Sequence, residues 1–500
     1  MLNSLKHYTH LRGIEREALR LNQNGLIAQS MHPVALGAKL TNSSITVDFS
    51  ESLLELITPP SDSIEQVFQN LDALSAFCAK QIAEDEYLLN ASMPVSASET
   101  AIRIADFGTS NSGRMKAIYR KGLAARYGKI MQAIAGVHYN FSFDPALLKC
   151  LSKTRQVSEN ALYFSVINHY FELMWLIPFL FGASPICAKT SVKDRPDYLT
   201  SLDETHDIGQ YATSLRMSDL GYQSPAQRNL YISYRDVKSY VHDLVKATET
   251  PYPAFARLGL YDKQHQRQQL NTGILQIENE YYSSIRPKQV AERGERPACA
   301  LLKNGVRYLE VRLLDINPFA RVGIDVQTSY FIEALLTSCL LKPLKAYDKT
   351  ALMRQKGNLK TVIQFGRKPA LKLIDRDGRL RALKEIGHWH FDHIEETAFE
   401  MGKQYLEAVQ KERKKLDDVT KTPSAQVIAE ALKSDYLSWN LENSKKMHRQ
   451  LQAYALPEKV LKRLTAEVQK SLEAQKVLEK SQCSDLNSYI ENYYRSAGCC

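Results

Sequence analysis

The chain has 500 residues, of which 44% are hydrophobic and 24% charged, so it can bury a large core and has an ordinary globular composition. Its formal net charge of +10 at pH 7 is spread along the chain without a basic tail, which argues against a nucleic-acid partner. No apolar stretch resembles a signal peptide or a membrane span, and the eight cysteines form no CxxC pair. We therefore expect a cytoplasmic protein without membrane contacts, a disulfide framework or a zinc site.

The first predicted element is a strand over residues 14–21, within the stretch GIEREALRL. In a strand, Glu15 and Glu17 share one face, while Arg16 and Arg20 share the other. Two acids side by side repel each other, so this face is either solvated and neutralised by the arginines or carries a pair of metal ligands. The stretch alone leaves both interpretations open.

More carboxylates follow in residues 45–60, ITVDFSESLLELITPP. Glu51 and Glu55 share a strand face, whereas Asp48 is an odd number of residues from both and would point away from them. The spacing therefore predicts either a turn near Ser50 or a place for Asp48 in a neighbouring element.

Helix signals begin at Ser63, which forms a capping box with Gln66 after two prolines. Apolar residues then recur at helical spacing as far as Ile82, and a second amphipathic helix is predicted over residues 162–176.

Three later stretches alternate apolar and polar side chains with the period of a strand: residues 135–143, 274–281 and 306–313. Each has one apolar face and one face that carries acids, amides, histidine or arginine. With residues 14–21 they predict an antiparallel sheet packed on helices, with its polar face over a site.

On that polar face, His138, Glu310 and Arg312 would join Glu15 and Glu17. Taken singly, His138 fits a buried core histidine, and Glu310 with Arg312 fits an ion pair. Gathered together, the carboxylates need cations, and hard oxygen ligands with one imidazole suit Mg²⁺ or Mn²⁺. With Arg312 alongside, such a cluster is typical of phosphoryl transfer.

Two other motifs resemble known sites less well. Residues 122–129, GLAARYGK, have five residues between their glycines and no Ser or Thr after the lysine, so they do not form a phosphate-binding loop. Residues 388–393, HWHFDH, have the spacing of a zinc site, but the following sequence is helical and we expect a surface cluster at a helix start.

Beyond about Pro343 the sequence becomes rich in Lys, Glu, Ala and Leu, and helical patterns dominate. The prediction is a catalytic region over residues 1–345, with the antiparallel sheet and a metal and ATP site. A mainly helical region over residues 346–500 would pack on it.

Eight motifs between Gly13 and Gly323 together resemble the proteobacterial type of glutamate-cysteine ligase. They are GIEREALRL, ITVDFSESLLELITPP, GTSNSGR, IAGVHYNFSF, IPFLFGASP, TSLRMSDLGY, LQIENEYYSSIRPK and YLEVRLLDINPF. The resemblance implies an α+β fold with the curved antiparallel sheet of glutamine synthetase-like carboxylate-amine ligases. It also implies ATP and Mg²⁺, with Mn²⁺ as an alternative, as cofactors for joining L-glutamate to L-cysteine through γ-glutamyl phosphate. The product would be γ-glutamylcysteine, in the first step of glutathione biosynthesis.

By the same resemblance, Glu15 and Glu17 bind different metal ions, and Arg312 acts on the transferring phosphoryl group, while Arg16 is structural. The remaining metal ligands would be Asp48, Glu55, His138 and Glu310. The cysteine pocket would consist of Phe49, Tyr119, Leu123, Gln132, Arg216, Tyr222 and Tyr282. Arg120 matches a second anion-binding arginine, near glutamate or phosphate. The resemblance names no adenine-binding residues, and we expect a monomer.

Two rival interpretations stay open at this point. A ligase of the same fold with another amine acceptor would keep the metal face and change the pocket. A basic binding protein without catalytic activity would leave the acid-rich strand faces unexplained.

Overall fold

The computed structural model describes residues 5–192, 194–221, 224–346, 349–481 and 485–495, and the predicted pocket residue Tyr222 lies outside these ranges. The strands of the described residues are β1 (Leu11–Asn22), β2 (Ile45–Val47), β3 (Leu53–Ile57), β4 (Glu86–Leu88), β5 (Val137–Ser142), β6 (Ile186–Ala188), β7 (Thr200–Ser201), β8 (His206–Ile208), β9 (Ile285–Lys288), β10 (Tyr308–Leu314), β11 (Lys372–Ile374) and β12 (Leu380–Ala382).

The α-helices of the same residues are α1 (Ile64–Gln81), α2 (Asn111–Tyr127), α3 (Pro145–Arg155), α4 (Glu159–Leu173), α5 (Leu176–Phe181), α6 (Val237–Glu249), α7 (Pro253–Leu258), α8 (Pro297–Asn304), α9 (Val326–Leu341), α10 (Lys349–Phe365), α11 (Leu383–Met401), α12 (Lys403–Asp417), α13 (Pro423–Lys433), α14 (Tyr436–Ala453), α15 (Glu458–Lys480) and α16 (Leu486–Arg495). No helix among the described residues has the length and apolar character that a membrane crossing requires.

The main sheet is antiparallel and has the order β2-β3-β1-β5-β10-β9, with β4 paired to the far end of β1. A three-stranded sheet, β6-β8-β7, and the hairpin β11-β12 lie apart from it. The predicted antiparallel sheet packed on helices is therefore confirmed.

One face of β1 packs on helices and contains buried arginines. Arg16 donates to Ser75 of α1 and to Asn90, both at 3.1 Å, so its predicted structural position is confirmed. Arg20 forms a 2.7 Å ion pair with Glu86 of β4. Since these guanidiniums are bonded within the fold, they do not neutralise the opposite, acidic face of the strand.

The predicted helix after Ser63 is confirmed as α1, and the Ser63 side chain accepts a hydrogen bond from the Gln66 backbone. The predicted strand over residues 274–281 is wrong, because this segment is irregular and contains a short 3₁₀ turn, Glu278–Glu280. The Glu280 carboxylate accepts from the Gln276 backbone at 2.7 Å and Glu278 pairs with Arg296 at 2.6 Å, so buried side-chain bonds replace a strand ladder.

The helical character of the C-terminal region is confirmed, with the hairpin β11-β12 as an addition. Helices α11 and α12 pack on α9, and α14 packs on α1. The division of the chain near residue 345 stays a prediction, since one hydrophobic core includes residues from both sides of it.

The HWHFDH motif lies inside α11 rather than at its start. His388 contacts Asp417 at 3.2 Å and His393 contacts the Trp389 carbonyl at 2.9 Å, whereas His390 is buried. The prediction that the motif forms a surface cluster is therefore wrong for His390. Among the described cysteines, Cys299 is disulfide-bonded, which the cysteine spacing did not predict.

Candidate active site

Strand register brings the predicted acidic residues together on one face of the sheet. Glu15 lies opposite His138 on β5, and Glu17 lies opposite Glu55 on β3. Glu310 on β10 is paired with Asn140, two residues beyond His138. Because alternate residues of a strand share a face, these side chains converge on the side away from the arginines of β1.

His138 is the centre of this cluster. Its Nδ1 lies 3.1 Å from Glu15 Oε2, and its Nε2 lies 3.8 Å from Glu17 Oε1. One ligand atom each from Glu15, Glu55 and His138 can be chosen so that all three lie within 4.8 Å of one another. Asn140 donates to Glu15 at 2.8 Å and so orients that carboxylate.

Asp48 joins the cluster because the chain turns after β2. The hairpin between β2 and β3 contains the turn that the sequence allowed near Ser50, and Ser50 itself bridges to Ile104. Glu51 points elsewhere, since its carboxylate accepts from Lys39 at 2.6 Å and from the Asp106 backbone at 2.7 Å.

The carboxylates strongly perturb one another's protonation. Burial and the nearby Asp48 raise the pKa of Glu17 to about 8, and burial with Asp48 and Glu15 raises the pKa of Glu55 well above its usual range. Burial also acts on Glu310, but Lys288 and Arg312 outweigh it and hold the pKa of Glu310 well below normal. The face thus combines an uncompensated acidic side with a cationic side.

The cationic side surrounds Glu310. Arg312 Nη1 lies 3.2 Å from Glu310 Oε2, and Lys288 Nζ and Arg286 Nη1 lie 3.6 Å from Glu310 oxygens. Strand pairing between β10 and β5 is irregular between Val311 and Leu314, where Arg312 stands. Irregularities of this kind commonly re-aim a side chain beside an active site.

A cavity of about 110 Å³ adjoins this face. Its lining includes the predicted residues Glu17, Asp48, Phe49, Tyr119, Arg120, Leu123, Gln132, Tyr282 and Arg312. Helix α2 supplies Tyr119, Arg120 and Leu123, which face the cavity from one side. Arg120 donates through Nε to the Asp48 carbonyl and so connects this helix to the acidic cluster.

Arg216 lies behind the cavity rather than on its surface. It is buried, and its Nη1 donates to the Arg312 carbonyl at 3.1 Å and approaches Asp315 at 3.9 Å. A Cβ at Gly136 would meet Arg216 Nη2 at 2.0 Å, so the guanidinium packs directly on the backbone of the strand entry.

Four functional candidates escaped the sequence analysis: Arg286, Lys288, Asn279 and Glu280. Arg286 and Lys288 lie on the short strand β9, where Arg286 is opposite Glu310. This strand has only four residues, one of them proline, and so gives no clear periodic signal in the sequence. Asn279 and Glu280 line the cavity from the segment that was interpreted as a strand, and the acids of that segment offered no separate signal.

The cluster fits divalent cations. His138 Nε2 is buried without a hydrogen-bond partner among the described residues, and burial and the neighbouring acids raise the pKa values of Glu17 and Glu55. Acidic oxygens with one imidazole are the donor set of Mg²⁺ or Mn²⁺ rather than of a soft metal.

A buried acidic sheet face, an arginine on the adjoining strand and an adjacent cavity are the parts that a ligase acting through phosphoryl transfer needs. The family model of glutamate-cysteine ligase matches residues 3–362. The chain belongs to the glutamate-cysteine ligase family, and the predictions of ligase fold, enzyme class and glutamate-cysteine ligase activity are confirmed.

Similar proteins agree with this assignment. The chain is 41% identical over 509 residues to the glutamate-cysteine ligase of Pseudomonas entomophila, covering 99% of this chain and 95% of that protein. It is 40% identical over 497 residues to the glutamate-cysteine ligase of Bordetella parapertussis, covering 97% of this chain and 94% of that protein.

Solved structures show the same fold. A crystal structure of the Francisella tularensis glutamate-cysteine ligase in complex with AMP superposes with a TM-score of 0.98, at 52% identity and full coverage of both chains. A bifunctional glutathione synthetase from Pasteurella multocida gives a TM-score of 0.72 at 24% identity, over 97% of this chain and 58% of that one, which shows the fold alone.

Proposed function

We propose that this chain phosphorylates the γ-carboxylate of L-glutamate with ATP and then joins it to the amine of L-cysteine. The convergence of the acidic face, Arg312 and the cavity supports this proposal more than any other observation. The product is γ-glutamylcysteine, released with ADP and phosphate. A monomeric state and a cytoplasmic location stay predictions.

Six residues would hold divalent metal ions, Mg²⁺ first and Mn²⁺ as an alternative: Glu15, Glu17, Asp48, Glu55, His138 and Glu310. Bound there, the ions would neutralise phosphate oxygens of ATP. The raised pKa values of Glu17 and Glu55 support this role, since burial and the neighbouring acids disfavour their negative charge when no counter-ion is near.

Arg312 is the proposed catalytic arginine. It lies between Glu310 and His138, 3.4 Å from His138 Nδ1, and it lines the cavity. From there its guanidinium can neutralise charge on the oxygens of the phosphoryl group during transfer. Arg286 and Lys288 extend the positive charge to the edge strand, where the phosphates of ATP would meet it.

The cavity is the proposed cysteine pocket. Phe49 and Leu123 give it apolar walls, while Tyr119, Gln132 and Tyr282 add polar groups, with Gln132 Nε2 at 3.5 Å from the Tyr282 hydroxyl. Arg120 would attract an anionic group of glutamate or phosphate. Arg216, behind the wall, would bind the cysteine carboxylate only after a rearrangement, so this assignment rests on the family resemblance.

A coupled ADP-release assay tests the proposal, with glutamate and cysteine omitted in turn and the product identified by mass spectrometry. We expect sustained ADP release only when both amino acids are present, and a product with the mass of γ-glutamylcysteine. Sustained ADP release that needs glutamate and another amine, but not cysteine, would favour the rival ligase and contradict the cysteine assignment.

A further inference from the structure

Gln276 lies between the two walls of the cavity, and the proposed reaction leaves it without a role. Its side chain is fully buried. Its own segment continues into Asn279, Glu280 and Tyr282, which line the cavity on the side opposite helix α2. The position of Gln276 therefore influences the distance between the two walls of the cavity.

The Gln276 side chain bonds directly to helix α2. Its Nε2 donates to the Tyr119 carbonyl at 3.1 Å, while its Oε1 accepts from the Leu270 backbone at 3.0 Å. Tyr119 also presents its ring to the cavity, so this bond ends on a pocket residue.

Gly122 of α2 makes this approach possible. A Cβ at Gly122 would meet Gln276 Oε1 at 2.0 Å, far inside van der Waals contact. Glycine is a poor helix former, and alanine in its place would normally favour the helix. At this turn of α2, the Gln276 amide occupies the space that the methyl group of an alanine at position 122 would need.

The C-terminal helix α16 holds the other end of the same connection. The Tyr494 hydroxyl donates to the Gln276 carbonyl at 2.6 Å and accepts from Asn271 at 3.0 Å. Ile490 of the same helix packs with Met115 and Ile118 of α2. Helix α16 thus contacts both walls, although the described part of it supplies no residue to the cavity lining.

We propose that Gln276 is a positioning residue that sets the spacing of the two cavity walls for the acceptor amino acid, and that Tyr494 holds Gln276 in place. The inference rests on the proposed function, because it takes the cavity as the cysteine pocket. Gln276 does not contact the acidic face, so its effect should fall on cysteine rather than on ATP or glutamate.

The first variant is Gln276→Leu, which keeps the approximate volume and removes both bonding atoms. We expect the KM for cysteine to rise about tenfold, with kcat and the KM values for ATP and glutamate nearly unchanged. The ratio of kcat/KM for cysteine to that for L-alanine, which lacks the thiol, should also fall.

Two further variants keep the test decisive if Gln276→Leu does not fold. Tyr494→Phe removes only a hydroxyl and should raise the KM for cysteine about threefold. Gly122→Ala should raise it too, even though alanine favours the helix. In a double variant with Gln276→Ser, Gly122→Ala should raise the KM for cysteine little beyond the effect of Gln276→Ser alone, because the two substitutions perturb the same contact.

The matched control is Tyr330→Phe, which removes a 2.6 Å hydrogen bond to Glu65 between α9 and α1, away from the cavity. It should leave all three KM values unchanged. Thermal melts identify the folded variants, and unchanged KM and selectivity for cysteine in these would overturn the inference.

A direct pocket variant, Leu123→Ala, separates this inference from the proposed function. If Leu123→Ala raises the KM for cysteine and the folded Gln276, Tyr494 and Gly122 variants do not, the positioning role is wrong while the pocket stands. If none of them changes it, both the pocket assignment and the positioning role are wrong.

Discussion

Replacing Arg312 by glutamine removes the charge that the proposed phosphoryl transfer needs most. Its Nη1 lies 3.2 Å from Glu310 Oε2 at the cavity wall. At an effective dielectric constant of about 20, two unit charges at such a distance interact by about 5 kcal/mol. Since phosphoryl oxygens gain this partner mainly during transfer, we expect a loss of about 3 to 5 kcal/mol of transition-state stabilisation, or roughly two to four orders of magnitude in kcat.

The measurement is the initial rate of coupled ADP release at varied glutamate, cysteine and ATP. Arg312→Gln should lower kcat and leave the KM for cysteine within about threefold. Glu310 keeps Lys288 and Arg286 as partners, so the variant should remain folded in thermal melts. The control Arg321→Gln removes a partly exposed ion pair with Asp72 and should leave every rate constant unchanged.

Arg216→Met provides the contrast, because it fills the buried volume and removes the predicted partner of the cysteine carboxylate. It should mainly raise the KM for cysteine, and glutamate-dependent ATP cleavage without cysteine should survive it. If Arg216→Met instead abolished γ-glutamyl phosphate formation while Arg312→Gln changed only cysteine affinity, both assignments would be refuted.

Three further predictions concern metal, pH and the histidine motif. Mg²⁺ should raise the Tm of the wild type at pH 7, and Glu55→Gln should raise the Tm without metal, because burial and the neighbouring acids disfavour an ionised Glu55 in the folded state. The variant should also weaken the Mg²⁺ shift and the activity. An unaltered shift would count against Glu55 as a ligand. Burial lowers the pKa of His10, His32 and His448 to about 4, so the unfolded chain, whose histidines titrate near 6.5, binds more protons between these values. These histidines should therefore lower the free energy of unfolding as the pH drops from about 6.5 to 4, against the opposite effect of Glu17 and Glu55, whose raised pKa values favour the folded state at lower pH. His448→Gln should lose less stability than the wild type over this range in pH-dependent melts. His388→Ala and His393→Ala should keep the Mg²⁺-dependent rate within about threefold, since both side chains are partly exposed; a loss rescued by zinc would show a metal site in α11.

The core of the site was predictable where strands are long and regular. β1, β5 and β10 each have a polar and an apolar face, and since their apolar faces pack on the same core, Glu15, His138 and Glu310 fall on the other side of the sheet. The spacing of Asp48 also indicated a turn, because it is an odd number of residues from Glu55 and a continuous strand would have pointed the two side chains to opposite faces.

The rest depended on contacts that no local pattern records. The four residues of β9 include Pro287 and are too short for a periodic signal, so Arg286 and Lys288 passed unnoticed. Residues 274–281 do alternate, but buried bonds from Glu278 and Glu280 decide their path. The depth of Arg216 follows from packing on Gly136, a contact between residues 80 positions apart in sequence.

The bond between Tyr494 and the Gln276 backbone has a consequence for biosynthesis. Helix α2 is synthesised about 150 residues before the segment that faces it across the cavity, and helix α16, which bonds to that segment and packs on α2, follows about 210 residues after it. A nascent chain stalled before residue 486 would hold all of the acidic cluster but only a loosely held acceptor wall. Cysteine binding would therefore reach its full strength only after helix α16 has docked, later than the metal-binding face is complete.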